Sequence, residues 1–435
     1  MNSHRLLLLL AAILLTTAAW AQNADRGPRI GYCYPAGAKQ GTTVEVTLGG
    51  QFLQNPSSVF LTGEGVHAEV ILYGKPFNNM QLQELRQLLG PAMKKAPAAA
   101  QDVPVIAFVE PSTLPEHPLT RQICKMTVRE LNYWVTNSLN QNRRQMNAQI
   151  GEMTVVQVTV DANAQPGDRE LRLMTPGGLT NPLRFQVGTL DEDAEHEPND
   201  IVPTNPEPLA LPVTFNGQIM PGDVDRHLFH AQRGQRLTAV VQARHFAPYL
   251  ADAVPGWFQP VVALRTADGE ELAFADDFQG DPDPVLMHEI QADGDYVLEV
   301  RDSIYRGRED FVYRAFLGEL PVITSVSPLG AQSGQKATLA LTGWNLPLAR
   351  LPIDTAPGDS IRLLMADPKL GPLLPARYGV DDLPQCGEKE SNDTIEQAYA
   401  VAPPRIINGA IDKAGDCDFF RVKGKAGEEI VADVM

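Results

Sequence analysis

The chain repeats itself at two different intervals, and this nesting restricts it to a string of modules in the order A–B–A′–B′. Pro28 to Leu53 aligns without a gap to Pro321 to Leu346, and nine of the 26 positions are identical: Pro28, Ile30, Pro35, Gly37, Ala38, Gly41, Leu48, Gly50 and Leu53. A second repeat has an offset of 193 residues, pairing Glu195-His-Glu197-Pro-Asn199-Asp200 with Glu388-Lys-Glu390-Ser-Asn392-Asp393 and Gly222-Asp223-Val-Asp225 with Gly415-Asp416-Cys-Asp418. Gly234 and Leu237 then match Gly427 and Ile430. The modules are expected at 27–190, 191–318, 319–385 and 386–435. The first B copy continues to Leu317 while the second stops at Met435, so B′ reads as cut off mid-strand and the sequence as a fragment.

Each A copy reads as a strand, a Pro/Gly turn and a second strand, in which Val44, Val46 and Leu48 alternate. A two-residue period predicts one buried and one wet face. With 35 Gly and 35 Pro in 435 residues, turn signals are frequent throughout, which predicts an all-β chain of tandem β-sandwiches. Module A departs from this over about 76–151. Met80, Leu82, Leu85, Leu88 and Leu89 predict a short helix ended by Gly90-Pro91. Thr127 with Glu130 forms a capping-box signature for a second helix striped by Leu131, Trp134, Val135, Leu139 and Met146 and stopped at Gly151. Strand alternation resumes at Val156, Val158 and Val160, so a helical insertion inside the first sandwich is expected, with packing against that sandwich as its role.

The N-terminus sets the compartment. A positive charge at Arg5, an apolar run Leu6 to Leu15 and the small-x-small site Ala19-Trp20-Ala21 predict a signal peptide over 1–21; a retained anchor is the alternative. The mature chain is then secreted, periplasmic or on the cell surface, with no membrane insertion after cleavage. The formal charge of the full sequence, −17, becomes more negative still when Arg5 leaves with the signal; it argues against nucleic-acid binding, because phosphate backbones repel a polyanion, and suits divalent cations.

The chemistry lies in the second repeat. Three carboxylates and an amide within six residues, joined by two more Asp, repel one another unless a cation sits among them. A hard cation with oxygen ligands resolves this, and Ca²⁺ (calcium) accepts six to eight oxygens in loose geometry where Mg²⁺ demands an octahedron. No His or Cys recurs at both sites, which argues against zinc. The competing reading is a solvated acidic linker. The interval of 25 residues from Glu197 to Gly222 and again from Glu390 to Gly415 favours a common metal site.

These motifs, with the Asp293-Gly-Asp295-Tyr296-Val-Leu-Glu-Val300 strand, resemble the bacterial pre-peptidase C-terminal domain and the related collagen-binding modules of secreted collagenases. That resemblance implies a jelly-roll-like sandwich and a calcium ligand set of Glu195, Glu197, Asn199, Asp200, Asp223 and Asp225, and of Glu388, Glu390, Asn392, Asp393, Asp416 and Asp418 in the second copy. Modules A and A′ resemble the immunoglobulin-like IPT/TIG class through Pro-x-Ile, Pro-x-Gly-Ala and Leu-x-Gly-x-x-Leu. The first B copy departs from the family in carrying Arg226-His227 where the second keeps Phe419-Phe420.

Other candidates are weaker. His227-x-x-His230 has Phe420 and Lys423 as counterparts, and residues three apart on a strand face opposite sides. The Asp276, Asp277, Asp281, Asp283 loop reads as a solvated turn. Tyr249, Trp257 and Phe258 could form an aromatic ligand-binding loop, with a packed loop as the alternative. Neither a nucleophile elbow, a zinc-protease helix, a P-loop nor a dinucleotide fingerprint occurs, so no catalysis is expected within these residues. Only the second B copy has Cys386 and Cys417, and Cys33 and Cys124 both belong to the first A module; this favours the disulfides Cys386–Cys417 and Cys33–Cys124, with buried free thiols as the alternative. The expected function is a calcium-stabilised, non-catalytic segment for extracellular binding, adhesion or spacing, with a protein or polysaccharide ligand; the rival is an accessory region of a secreted peptidase.

Overall fold

Alternation along short strands folds as the sequence predicts, into sheets paired around apolar cores. The computed structural model describes residues 27–95, 101–137, 147–200, 208–246, 258–371 and 373–434. The chain divides into two units, Met1–Glu319 and Leu320–Met435. The expected signal peptide lies outside the described residues, among which no helix is long and apolar enough to cross a membrane. The fold class is all-β with a small helical insertion.

The first module contains β1 (Arg29–Tyr34), β2 (Gly37–Lys39), β3 (Thr43–Gln51), β4 (Ser58–Leu61), β5 (Val66–Gly74), β6 (Glu152–Val160), β7 (Gly167–Thr175), β8 (Gly178–Leu179) and β9 (Leu183–Gly188). One sheet runs β1-β3-β6-β5 and the other β2-β9-β7-β4. Val46 and Leu48 of β3, Val156 and Val158 of β6, Leu171 and Leu173 of β7 and Phe185 of β9 fill the space between them. Each such side chain, fully buried, contributes about 1.5–3 kcal/mol.

The insertion leaves after β5 and returns at β6. Its helices are α1 (Asn79–Lys95), α2 (Pro118–Ile123) and α3 (Val128–Asn137). α1 does not stop at Gly90-Pro91 but carries Pro91 inside it. The reason is packing: Leu85, Leu89 and Ala92 are buried in the insertion's own core with Ile123 and Leu131, so continuing the helix places Ala92 there. The α3 capping box forms as predicted, with Glu130 N donating to Thr127 Oγ1 (3.2 Å) and Thr127 N to Glu130 Oε2 (2.5 Å). Leu139 and Met146 lie outside the described residues. The outer face of β3 is not wet: Arg121 and Lys125 pair with Glu45, and Gln122 donates to Thr47 Oγ1 (2.9 Å).

The second module comprises β10 (Asp191–Ala194), β11 (Val213–Gln218), β12 (Asp225–Ala231), β13 (Arg236–Gln242), β14 (Pro260–Thr266), β15 (Glu271–Ala275), β16 (Val285–Glu289), β17 (Gly294–Asp302) and β18 (Val312–Gly318). The sheets β10-β11-β18-β13-β16 and β12-β17-β14-β15 enclose Phe215, Phe229, Val241, Leu264, Leu298 and Tyr313. The acidic segment between modules enters as the parallel edge strand β10, beside β11. The two modules of this unit share an apolar cluster of Tyr32, Ala36 and Ile150 with Phe246 and Val312. Beside it, the fully buried Arg314 donates to Glu192 Oε1 (2.7 Å) and Asn216 Oδ1 (2.8 Å).

The second unit contains β19 (Val322–Ser327), β20 (Gly330–Gln332), β21 (Ala337–Trp344), β22 (Arg350–Ile353), β23 (Ile361–Leu364) and β24 (Ala376–Asp381), in sheets β19-β21-β22 and β20-β24-β23. The pairing β19–β21 shifts register between Ile323 and Ser325, as β1–β3 does between Ile30 and Tyr32. Two repeated glycines have a steric cause. A Cβ at Gly50 would lie 2.1 Å from Arg29 O, and one at Gly343 2.0 Å from Val322 O, so neither position admits a side chain. The remaining strands β25 (Gln385–Gly387), β26 (Tyr399–Val401), β27 (Ile406–Asn408) and β28 (Phe420–Val422) form two parallel pairs, β25–β27 and β26–β28.

Candidate metal centre

Local backbone geometry brings the acidic residues of the first B copy together. Glu195 follows β10, and both its carboxylate oxygens accept the amide of Gln218 (2.9 Å each). Glu197 accepts from Asn199 N (3.0 Å), folding the segment back on itself. Gly222 has φ +83°, in the left-handed region that a side chain disfavours, and the turn it makes aims Asp223 inward. Asp223 accepts from Met220 N (3.0 Å), and the amide of Val224 donates to both Asp223 Oδ1 (3.1 Å) and Asp200 Oδ1 (3.2 Å), so these carboxylates are neighbours. Asp225 opens β12 with no exposed surface.

One oxygen each from Glu195, Glu197 and Asp225 falls within 4.8 Å of the others. The amide of Val224 holds Asp223 and Asp200 side by side, and Asn199 is buried in the segment that its backbone amide ties to Glu197. Several of their buried atoms have no hydrogen-bond partner: Glu197 Oε1, both amide atoms of Asn199 and Asp225 Oδ1. Buried polar atoms are almost always satisfied, and here unsatisfied oxygens are aimed at one another.

The electrostatics follow. Burial, then the charges of Asp225 and Glu197, raise Glu195 well above the usual carboxylate range. Burial, then Asp223 and Asp225, push Glu197 up to about 10. Asp225 rises to about 7, through burial first and then Asp223. Asp223 is raised as well, again mainly by burial. Such a cluster holds either protons or a cation.

The second copy repeats the arrangement. Glu388, Glu390 and Asp418 form one group within 4.8 Å, and Glu390, Asp393 and Asp416 a second that shares Glu390. Ala410 N donates to Glu388 (2.6 Å), Asn392 N to Glu390 (3.3 Å) and Asp412 N to Asp416 (2.6 Å); the second bond is the counterpart of Asn199 N to Glu197, while the other two donors sit one residue earlier than Gln218 and Met220 do in the first copy. Glu388 Oε2, both amide atoms of Asn392, and one oxygen each of Asp393, Asp416 and Asp418 are buried without partners. All the donors are oxygens except the amide nitrogens, in keeping with a hard cation.

Three tyrosines that the sequence did not single out complete the first site. Tyr313 of β18 donates to Asp225 Oδ2 (2.5 Å). Tyr34 of β1 reaches Glu195 Oε1 and Asn216 O (3.3 Å each), and Tyr133 of α3 reaches Asp223 Oδ1 (3.1 Å). Isolated tyrosines carry no motif; only the placing of Tyr34 beside the repeated Pro35 gave a signal.

Other candidates are corrected or confined to structure. All four cysteines are unpaired. Cys33 is buried in the sandwich core, its thiol pushed up by burial, whereas Cys124 caps α2 in the insertion. Cys386 sits on β25 and Cys417 is exposed in the turn after Gly415. Phe258 is no ligand-loop residue: it is buried in the second module's core and stacks on Phe311 at 5.2 Å. Tyr249 and Trp257 lie outside the described residues. His227 is buried and stacks on Phe215, while His230 is exposed and pairs with Asp295. Asp283 accepts the amides of Ala243, Arg244 and His245 and so clasps a turn.

No known protein family matches the chain. A probable subtilase-type serine protease of Deinococcus radiodurans is 32% identical over 112 residues, covering 24% of this chain and 14% of that protein, so the chain spans about a seventh of the relative it matches. Among solved structures, the pre-peptidase C-terminal domain of a Bacillus anthracis collagenase aligns at 13% identity over 27% of this chain and 97% of that one, with a TM-score of 0.19. The Aeromonas hydrophila periplasmic inhibitor of g-type lysozyme aligns at 15% identity over 29% and 96%, also at 0.19. Superpositions of that quality carry no weight for the site.

Proposed function

We propose that this chain is a non-catalytic segment of an exported protein, built of calcium-stabilised β-sandwich modules that hold and space surfaces outside the cell for binding or adhesion. The observation that carries the proposal is the pair of matching clusters, 193 residues apart, in which buried oxygens and amides lack partners. The residues fit the ion. Glu195, Glu197, Asn199, Asp200, Asp223 and Asp225 would hold it in the first copy, and Glu388, Glu390, Asn392, Asp393, Asp416 and Asp418 in the second. Bound there, calcium would supply charge neutralisation, and Glu195 and Glu197 would then tie the end of the entering strand β10 to the sandwich. The pre-peptidase C-terminal resemblance of the B modules rests on these acidic motifs, and the IPT/TIG resemblance of the A modules on their Pro-x-Ile, Pro-x-Gly-Ala and Leu-x-Gly-x-x-Leu pattern.

The second reading, an accessory region of a secreted peptidase, is favoured by the local similarity to a probable subtilase-type protease. In that reading the modules position a protein substrate for a catalytic domain encoded elsewhere in the polypeptide.

Calorimetric titration of the chain with CaCl₂ and MgCl₂, beside an Asp223→Ala/Asp225→Ala variant, tests the metal. Calcium should bind with Kd about 10⁻⁴ to 10⁻³ M, the usual range of extracellular modules, and the variant should lose one site. No calcium heat, or an unchanged variant, refutes it. Casein hydrolysis by the full-length gene product, absent from this chain alone, separates the peptidase reading from the adhesive one.

A further inference from the structure

The insertion in the first A module packs on more than its own sandwich. Tyr133 of α3 donates its hydroxyl to Asp223 Oδ1 at 3.1 Å. Glu130, which caps α3 through Thr127 N, also accepts from His196 Nδ1 at 3.0 Å, and His196 lies between Glu195 and Glu197. From the other side Tyr34 reaches Glu195, and Ile150, at the insertion's exit, joins the apolar cluster shared with Phe246 and Val312. The two tyrosines thus approach the carboxylate cluster from outside the module that supplies all its acidic residues.

We propose that the first metal centre is a two-module site: the first module contributes Tyr133 and Tyr34 as positioning residues, and α3 is seated by the cation that the second module binds. This rests on the calcium reading above. Each hydroxyl touches a carboxylate that would ligate the ion, and neither is offered to the ion itself. Tyr133 orients Asp223, a short side chain set on a turn, and Tyr34 orients Glu195. A′ has Ser327 in the place of Tyr34 and lacks the insertion, so the second site receives neither residue. The insertion's role is then to fix the first module against the second whenever the site is loaded.

Linkage makes this measurable, because an element seated by a ligand is stabilised by it. Hydrogen exchange of the full chain would be followed in EGTA and in calcium, alongside the calorimetric titration. At ten times Kd, amides of α3 and of residues 194–200 should both slow by about tenfold. Tyr133→Phe, which removes only the hydroxyl, and His196→Ala, in the exposed linker, should each cut the calcium-dependent slowing at α3, measured against the same variant in EGTA, while residues 194–200 still slow in calcium. If calcium binds and slows 194–200 but not α3, or if α3 slows as much as in wild type in both variants and their combination, the two-module site is wrong and the metal reading stands. If no calcium heat appears, both fail.

Discussion

Replacing Asp225 by Asn should stabilise the protein without calcium and remove the response of its first site to calcium. The ligand oxygens of Glu195, Glu197 and Asp225 lie within 4.8 Å of one another. At an effective dielectric of about 20, each pair of full charges at that separation repels by about 3.5 kcal/mol, so three pairs oppose folding by roughly 10 kcal/mol. That is comparable with the whole stability of a domain, about 5–15 kcal/mol. The cluster therefore takes up protons when no cation is present. Asp225 titrates at about 7 in the fold against an ordinary 3.8. An acid raised in this way binds its proton more tightly folded than unfolded, so stability is full below pH 3.8 and falls as pH rises to 7. The shift corresponds to roughly 4 kcal/mol above that window, an order of magnitude only. The asparagine side chain would keep an acceptor for Tyr313 and present a donor to the remaining carboxylates. In EGTA at pH 8 we expect Asp225→Asn to melt several degrees above wild type, at about 2–4 °C per kcal/mol. In 10 mM CaCl₂ wild type should gain about 1.4–2.7 kcal/mol, for Kd between about 10⁻³ and 10⁻⁴ M, and the variant's first site almost nothing. Scanning calorimetry in the two buffers reads both effects on the first unit's transition. A variant that melts below wild type in EGTA, or that responds to calcium as fully as wild type, refutes the reasoning.

Three further predictions concern the frame around the site. Phe258→Ala should cost about 3–5 kcal/mol in urea unfolding, because the ring is core rather than a ligand contact; a near-neutral result would return it to the surface loop. Arg314→Leu should destabilise by about 3–5 kcal/mol, since it leaves the carboxylate of Glu192 without its cation, while a double Arg314→Leu/Glu192→Leu variant should recover much of the loss. Reaction with a thiol reagent should label Cys417 at once and Cys33 only after denaturation, with four thiols in total; fewer than four would mean that a disulfide forms after all.

What could be read in advance divides by the range of the interaction. The repeated glycines were legible because each answers to a contact with an adjacent strand: a Cβ at Gly50 or Gly343 would strike a carbonyl of the paired strand, and sequence identity between the copies preserves that constraint. The acidic residues were legible for a similar reason, since their spacing is fixed by turns at Gly222 and Gly415 and by backbone amides close in the chain. Tyr34 and Tyr133 were not, because they reach Glu195 and Asp223 across 161 and 90 residues, and a lone tyrosine has no period. The end of α1 was misread for a related cause. Gly90-Pro91 is a sound local stop, yet burying Ala92 against Leu131 is a tertiary gain that local propensity does not contain. The outer face of β3 likewise looked solvated until α2 and the turn after it supplied Arg121, Gln122 and Lys125 to cover it.

The two copies show which part of the centre belongs to the repeat and which to its setting. Both keep the same six acidic and amide residues and the same backbone donor to the second glutamate, while the donors to the first glutamate and to the first aspartate after the turn shift by one residue in the second copy. Enclosure differs. In the first copy Asp225 is fully buried beneath Tyr313, and Tyr34 and Tyr133 close the sides. In the second, Glu390 is exposed and Lys413 stands 3.7 Å from Asp393, offering a cation of the chain's own. Removing charges from water strengthens both their repulsion when unpaired and their attraction to a bound ion. On the calcium reading, the same ligand set would therefore make the first B copy strongly dependent on its cation, and the second B copy, with water and a lysine at hand, far less so.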